Sequence, residues 1–153
     1  MIALLQRVQH ASVLASNVEI ACINQGLLVF IGVEHGDTEL ESDKLLTRFL
    51  GYRIFNDQND KMNLSIQDIN GGLLLVPQFT LAANTQKGMR PSFTSAAPPE
   101  LAETLFSYLC SQAIQQHPIV QTGLFGADMQ VSLTNDGPVT FWLHTHPHNM
   151  KIK

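Results

Sequence analysis

The sequence predicts a mixed α/β domain, with one mostly antiparallel, barrel-like β-sheet, two packed helices and a β-hairpin near the C-terminus. Three observations predict it. Apolar stretches of strand length fill the start and the end of the chain, helical apolar spacing recurs in two places, and the order runs strands, helix, strands, helix, strands. At 153 residues, with no internal repeat, low-complexity tract or linker, the chain fits one domain, against a usual size of about 150.

Each element has its own signal. Ile2–Gln9 and Ser12–Ala15 are apolar-rich and β-compatible, Val18–Ile23 alternates loosely, and Asn24-Gln25-Gly26 reads as a turn. Leu27–Val33 is apolar on both faces, as a central buried strand is. Thr38-Glu39-Leu40-Glu41 has the spacing of a capping box. Leu45, Leu46, Phe49 and Leu50 then share one helical face, and Gly51 can end that helix. Tyr52–Phe55 reads as a short strand, Asn56–Asp60 as a turn cluster, and Leu73–Val76 as another buried strand. Pro98-Pro99-Glu100 opens a second helix over roughly 100–116, broken at His117-Pro118. Met129, Val131 and Leu133 form one hairpin arm and Val139, Phe141 and Leu143 the other, around Asn135-Asp136-Gly137-Pro138. The domain is expected over 1–143, with a His-rich tail over 144–153.

Composition excludes several classes. Charged residues make up 14% and net charge is −4, so a protein that coats DNA with a dense basic face is not expected. Low charge also hints at surface buried between subunits. The longest apolar run, Leu27–Val33, is too short to span a bilayer. No basic lead with an apolar run opens the chain, and Cys22 and Cys110 form no disulfide framework or zinc set. The expectation is a cytoplasmic protein with reduced thiols, both read as buried small hydrophobes.

Candidate chemistry narrows to two segments. Asp57 and Asn59 fit calcium-loop positions, but Lys61 and Met62 do not, so that cluster reads as a solvated turn. His144, His146 and His148 would share a strand face, yet Pro147 and the terminal position favour a tail with adventitious metal affinity. No G-x-S-x-G, P-loop or Rossmann fingerprint is present. What remains is Pro77-Gln78-Phe79-Thr80-Leu81, a strand end that can aim unpaired N–H groups at an oxyanion. The only charges between Asp68 and Glu100 are Lys87 and Arg90, which suits a phosphate-bearing substrate. Taken alone, an ordinary loop with two solvated cations is the better reading of these charges. The second segment is Asn135–Thr140, readable as a tight turn or as a cis X–Pro device presenting carbonyls on one side.

Taken together, Met1–Val8, Leu50–Phe55, Gln78–Ala82, Gly88–Phe93 and Asn135–Thr140 resemble D-aminoacyl-tRNA deacylase, with a match running from Met1 to about Leu143. The resemblance implies a homodimeric hydrolase without metal or cofactor. It would cut the ester between a D-amino acid, or mischarged glycine, and the terminal adenosine of tRNA. It further implies that Gly137-Pro138 reaches into the partner's pocket, where it blocks L side chains, and that Arg7 orients the pair. Gln78, Phe79 and Thr80 would line the ester, with Thr80 in a lesser role than nucleophile, and Phe125 and Met129 would line the adenosine pocket. Pro77 departs from the Ser most relatives carry, so contacts from that hydroxyl or N–H are absent here. The alternative from another class is a non-catalytic dimer that binds tRNA ends.

Overall fold

The computed structural model describes residues 1–147. Strand β1 (Ile2–Ala15) is followed by β2 (Val18–Ile23), β3 (Gly26–Gly32), α1 (Glu39–Gly51), β4 (Phe55–Asn56), β5 (Met62–Leu64), α2 (Ile66–Ile69) and β6 (Gly72–Pro77). A 3₁₀ turn (Phe79–Ala82), α3 (Pro99–Gln116), β7 (Val120–Thr122) and β8 (Met129–His144) complete it. The six-stranded sheet is mixed. Its order is β2-β1-β3-β6-β7, with β8 on the free edge of β1, and it curls into a nearly closed barrel. The mixed single-domain fold read from the sequence is what forms.

Strand β1 is continuous where two strands were expected. One edge of β1 pairs with β8 throughout. The other pairs with β3 over Ile2–Val8 and with β2 over Ala11–Ala15. The expected break at His10-Ala11 falls at the handover between those neighbours, where Gln9 and His10 are exposed.

The parallel strands β3 and β6 are buried on both faces because each face meets its own core. Leu27, Val29, Leu73 and Leu75 pack with Leu45 and Phe49 of α1 and Leu105 and Leu109 of α3. Leu28, Leu74 and Val76 turn inward to Val8, Val13, Ala21 and Ile23. Each such side chain contributes about 1.5–3 kcal/mol by leaving water. A Cβ on Gly26 would run into the Gly72 carbonyl, so the two strands start at an approach that only glycine permits.

The capping box of α1 forms. The Thr38 N–H and hydroxyl donate to the Glu41 carboxylate at 3.0 and 2.6 Å. Burial opposes ionisation of Glu41, but these bonds outweigh it and hold its pKa below the ordinary value.

Three expectations are corrected. The C-terminal hairpin does not form: its intended arms are two stretches of one 16-residue strand, β8. Long β1 offers a ladder for both arms end to end, so Asn135–Pro138 becomes a bulge and not a turn. The described residues form three helices, not two, because Ser65 and Asp68 form a second capping box that starts four-residue α2. Cys22 is exposed, since its strand keeps one face to solvent. Cys110 is buried as expected, and desolvation pushes its thiol up to about 12.

His144 ends β8 and bonds Glu34, while its ring lies 3.9 Å from that of His146. His148 lies outside the described residues, among which no group of three metal-ligating side chains occurs. Among the described residues, no helix is long and apolar enough to cross a membrane.

Candidate active site at the barrel mouth

The site begins where the β3–β6 ladder ends. The Gln78 N–H donates to the Ile31 carbonyl at 2.7 Å, and the chain then turns into the Phe79–Ala82 3₁₀ segment. Inside that segment the Leu81 N–H bonds the Gln78 carbonyl at 3.2 Å. The Phe79 and Thr80 N–H groups precede it, at a helix start that supplies no intrahelical acceptor. The Gln78 side-chain amide donates to the Thr80 hydroxyl at 2.6 Å.

A cavity of about 490 Å³ opens beside this strand end. Val76, Pro77, Gln78 and Phe79 form one wall, and Pro99 and Ala102 at the start of α3 form another. Phe125, Met129 and Val131 close the third side, and Asp128 is the charged residue of the lining. Phe125 rests on Phe106 of α3, ring centroids 6.4 Å apart, and Met129 sulfur accepts the Leu124 N–H at 3.3 Å. Gln78, Phe79, Phe125 and Met129 therefore meet in one place, while Thr80 sits exposed just outside the lining. A second, more open cavity of about 500 Å³ lies against α1 beside Asp43, Arg48 and His146, and none of the predicted site residues reaches it.

Phe79 is 57% exposed and leans on Phe93 at 5.1 Å between ring centroids. That contact ties the cavity rim to the cationic loop. Asn84 and Ser92 close the loop through paired backbone bonds of 2.8 and 3.1 Å. Its tip carries Lys87, Met89 and Arg90, all exposed, and a cleft of about 300 Å³ is lined by Asn84, Gln86, Lys87 and Ser92.

Gly137 and Pro138 lie elsewhere. On β8, Met129 faces Ala15 and Asn135 faces Val8, so the cavity and the bulge are on the order of 20 Å apart at about 3.3 Å per residue. Gly137 has φ +130°, its bond to Pro138 is cis, and both residues are exposed. Arg7, itself buried, donates from Nε to the Asp136 carbonyl at 3.0 Å and from Nη1 to the Ile54 carbonyl at 2.8 Å. The bulge is thereby tied to the body of the fold.

The family model described as D-Tyr-tRNA(Tyr) deacylase matches residues 4–144. This chain belongs to that family. Among its relatives, the D-aminoacyl-tRNA deacylase of Herminiimonas arsenicoxydans is 61% identical, covering 96% of this chain and 99% of the relative. That of Proteus mirabilis is 58% identical, covering 94% and 99%. A solved structure described as c-Myc DNA Unwinding Element Binding Protein superposes with TM-score 0.92 at 36% identity, covering 95% of this chain and 99% of that one. A probable eukaryotic D-amino acid tRNA deacylase shares the fold at TM-score 0.78 and 17% identity, covering 93% and 97%.

Within this deacylase, sequence reasoning missed Phe93 and Asp128 at the cavity and its rim. It also missed the side chains of Asn135 and Thr140, which brace the bulge. The last two were quoted as part of a motif, but the turn reading left their side chains without work to do. Phe93 has no local signal, since its partner Phe79 is brought to it by the loop.

Proposed function

We propose that the protein hydrolyses the ester joining a D-amino acid, or glycine, to the 3′-terminal adenosine of tRNA. The observation that carries this reading is the meeting of Gln78 and Phe79 at a strand end with Phe125 and Met129 across one apolar cavity, in a chain of the deacylase family. The adenosine occupies the Phe125–Met129 side. The ester lies against Gln78 and Phe79, where N–H groups at the start of the 3₁₀ segment face the oxyanion that forms as water adds to the carbonyl. Collapse of that intermediate breaks the bond to the ribose oxygen, which takes up a proton, and the free amino acid leaves. Thr80 is a positioning residue here. Its hydroxyl accepts from an amide N–H, a group that cannot remove a proton.

Handedness is read by exclusion. Gly137 and Pro138 from a second copy of the chain enter the cavity and fill the space an L side chain needs, while Arg7 of that copy holds them. The distance between cavity and bulge within one chain supports a second copy as the donor of the bulge, and on this reading the working unit is a homodimer. Lys87 and Arg90 receive phosphates of the single-stranded end. An acidic body with two local cations favours an RNA end over coated duplex DNA, and the compartment is the cytoplasm. No metal or cofactor enters this scheme.

The test is chiral. Purified protein should release D-tyrosine from tRNA and leave L-tyrosyl-tRNA intact. Equal cleavage of both defeats the exclusion reading, and binding of charged tRNA without release of amino acid supports the non-catalytic alternative.

A further inference from the structure

The geometry points to Asn135 and Thr140 as positioning residues for chiral selectivity, acting as a clip across the base of the Gly137-Pro138 bulge. The inference rests on the exclusion reading above and adds to it what keeps the excluding element in shape.

The need for a clip follows from register. Gln6 pairs with Thr140 and Val8 with Asn135. Two steps along β1 are thus matched by five along β8, and three residues are looped out of the ladder. Looped-out backbone loses its ladder partners, and it holds one shape only where other groups replace them. Pro138 has no N–H to offer, so the first donor after it is that of Val139.

Asn135 Oδ1 takes that donor: the Val139 N–H bonds it at 2.8 Å. The orientation of the amide is set by this contact, because an N–H must face an oxygen. The other end, Asn135 Nδ2, donates to Thr140 Oγ1 at 2.8 Å. Gln6 Nε2 donates to the same hydroxyl at 3.3 Å from β1. One amide thereby bridges the two feet of the bulge, and the hydroxyl ties one foot to the neighbouring strand. Arg7 holds the bulge separately, at the Asp136 carbonyl. Two independent fixings are what a rejecting element needs. An attractive contact tolerates play, but a steric barrier that gives way by about 1 Å admits what it should exclude.

The experiment has two readouts on the full-length protein, namely hydrogen exchange of the Val139 amide and the ratio of D- to L-tyrosyl-tRNA cleavage. In Asn135→Ala the Val139 amide should exchange on the order of tenfold faster and the D/L ratio should fall on the order of tenfold, the scale of one lost hydrogen bond of about 1 kcal/mol or slightly more. Asn135→Asp keeps the acceptor and should retain Val139 protection and most of the ratio. Thr140→Val should lower the ratio by a few-fold and Thr140→Ser should restore it. These two variants keep the test alive should Asn135→Ala fold poorly. Faster Val139 exchange with an unchanged ratio overturns the selective role, and unchanged exchange in Asn135→Ala overturns the clip. A wild type that cleaves both stereoisomers, with Val139 exchange still governed by Asn135, sinks the exclusion reading and leaves the clip a purely structural brace.

Discussion

The two ends of β8 do opposite work with opposite materials. At Met129 and Val131 the strand offers apolar side chains to a cavity, backed by Val76 and Phe125. At Asn135–Thr140 it leaves the ladder and presents backbone, held by the polar side chains of Arg7, Asn135 and Thr140. On the proposed reading, the cavity takes the terminal adenosine and an amino-acid side chain of the right hand by shape and apolar contact. The bulge, which on that reading refuses the wrong hand, is served by rigidity, which hydrogen bonds at fixed angles supply. One chain, on the proposed reading, then carries both halves of a site that only two copies assemble.

The sharpest way to break this comparison is to ruin each end separately. A Cβ at Gly137 would sit 2.7 Å from Val139 Cγ2 and 3.0 Å from Arg7 Nη2, at a φ that side chains other than glycine's rarely adopt. Gly137→Val should therefore lower D-tyrosyl-tRNA turnover by roughly 100-fold, since such backbone strain and overlap cost about 1–3 kcal/mol each. Mixing this variant, after dissociation and reassociation, with one disabled at the cavity should restore activity. In a random mixture about a quarter of the sites pair an intact cavity with an intact bulge. No recovery would mean that both halves serve the same chain's site.

The next largest effect belongs to the apolar end. Phe125→Ala removes a ring that lines the cavity and rests on Phe106. KM for D-tyrosyl-tRNA should rise about tenfold, as loss of one base-stacking contact of about 1–3 kcal/mol allows, with the D/L ratio preserved. A change in the ratio instead would show that selectivity does not reside in the bulge alone. The double variant Lys87→Ala, Arg90→Ala should raise KM several-fold at low salt. The difference should shrink at high salt, because two phosphate contacts are screened and exchanged for counterions. Measuring KM across a salt series checks this.

How much of this was legible beforehand divides along the same line. The buried strands, both long helices and the Thr38–Glu41 capping box are local patterns, and they read correctly from spacing alone. Gln78, Phe79, Phe125 and Met129 were named through motif resemblance, and the cavity joins them although they lie far apart in sequence. Asn-Asp-Gly-Pro carries turn chemistry at short range, which is why a hairpin was expected there, while the other reading of the segment, a cis Gly137-Pro138 bond, agrees with the structure. Only the length of β1, a property of a distant segment, decides that the chain continues straight. The gap left at His10-Ala11 has the same origin, since nothing local shows that β8 alongside holds the strand together. The second capping box, Ser65 to Asp68, was legible and passed over because it starts so short a helix.

The smallest expected effect belongs to Thr80, beside the cavity rim. On the proposed reading its hydroxyl lies beside the N–H groups that receive the oxyanion, the position a nucleophile would take. Yet its contact at 2.6 Å is with the Gln78 amide N–H, which supplies a proton and does not remove one. A hydroxyl in that setting keeps its proton and is a poor nucleophile. The N–H groups proposed to face the oxyanion belong to the main chain and survive truncation of the side chain. Thr80→Ala should therefore lower kcat for D-tyrosyl-tRNA by less than about tenfold, the loss of one neutral hydrogen bond, with KM and the D/L ratio close to wild type. A nucleophile's removal would cost several powers of ten in kcat and leave no covalent intermediate to trap. Rapid-quench measurement of a single turnover separates the two, and a loss of that size in a folded, tRNA-binding variant would move the chemistry from the main chain to the Thr80 hydroxyl.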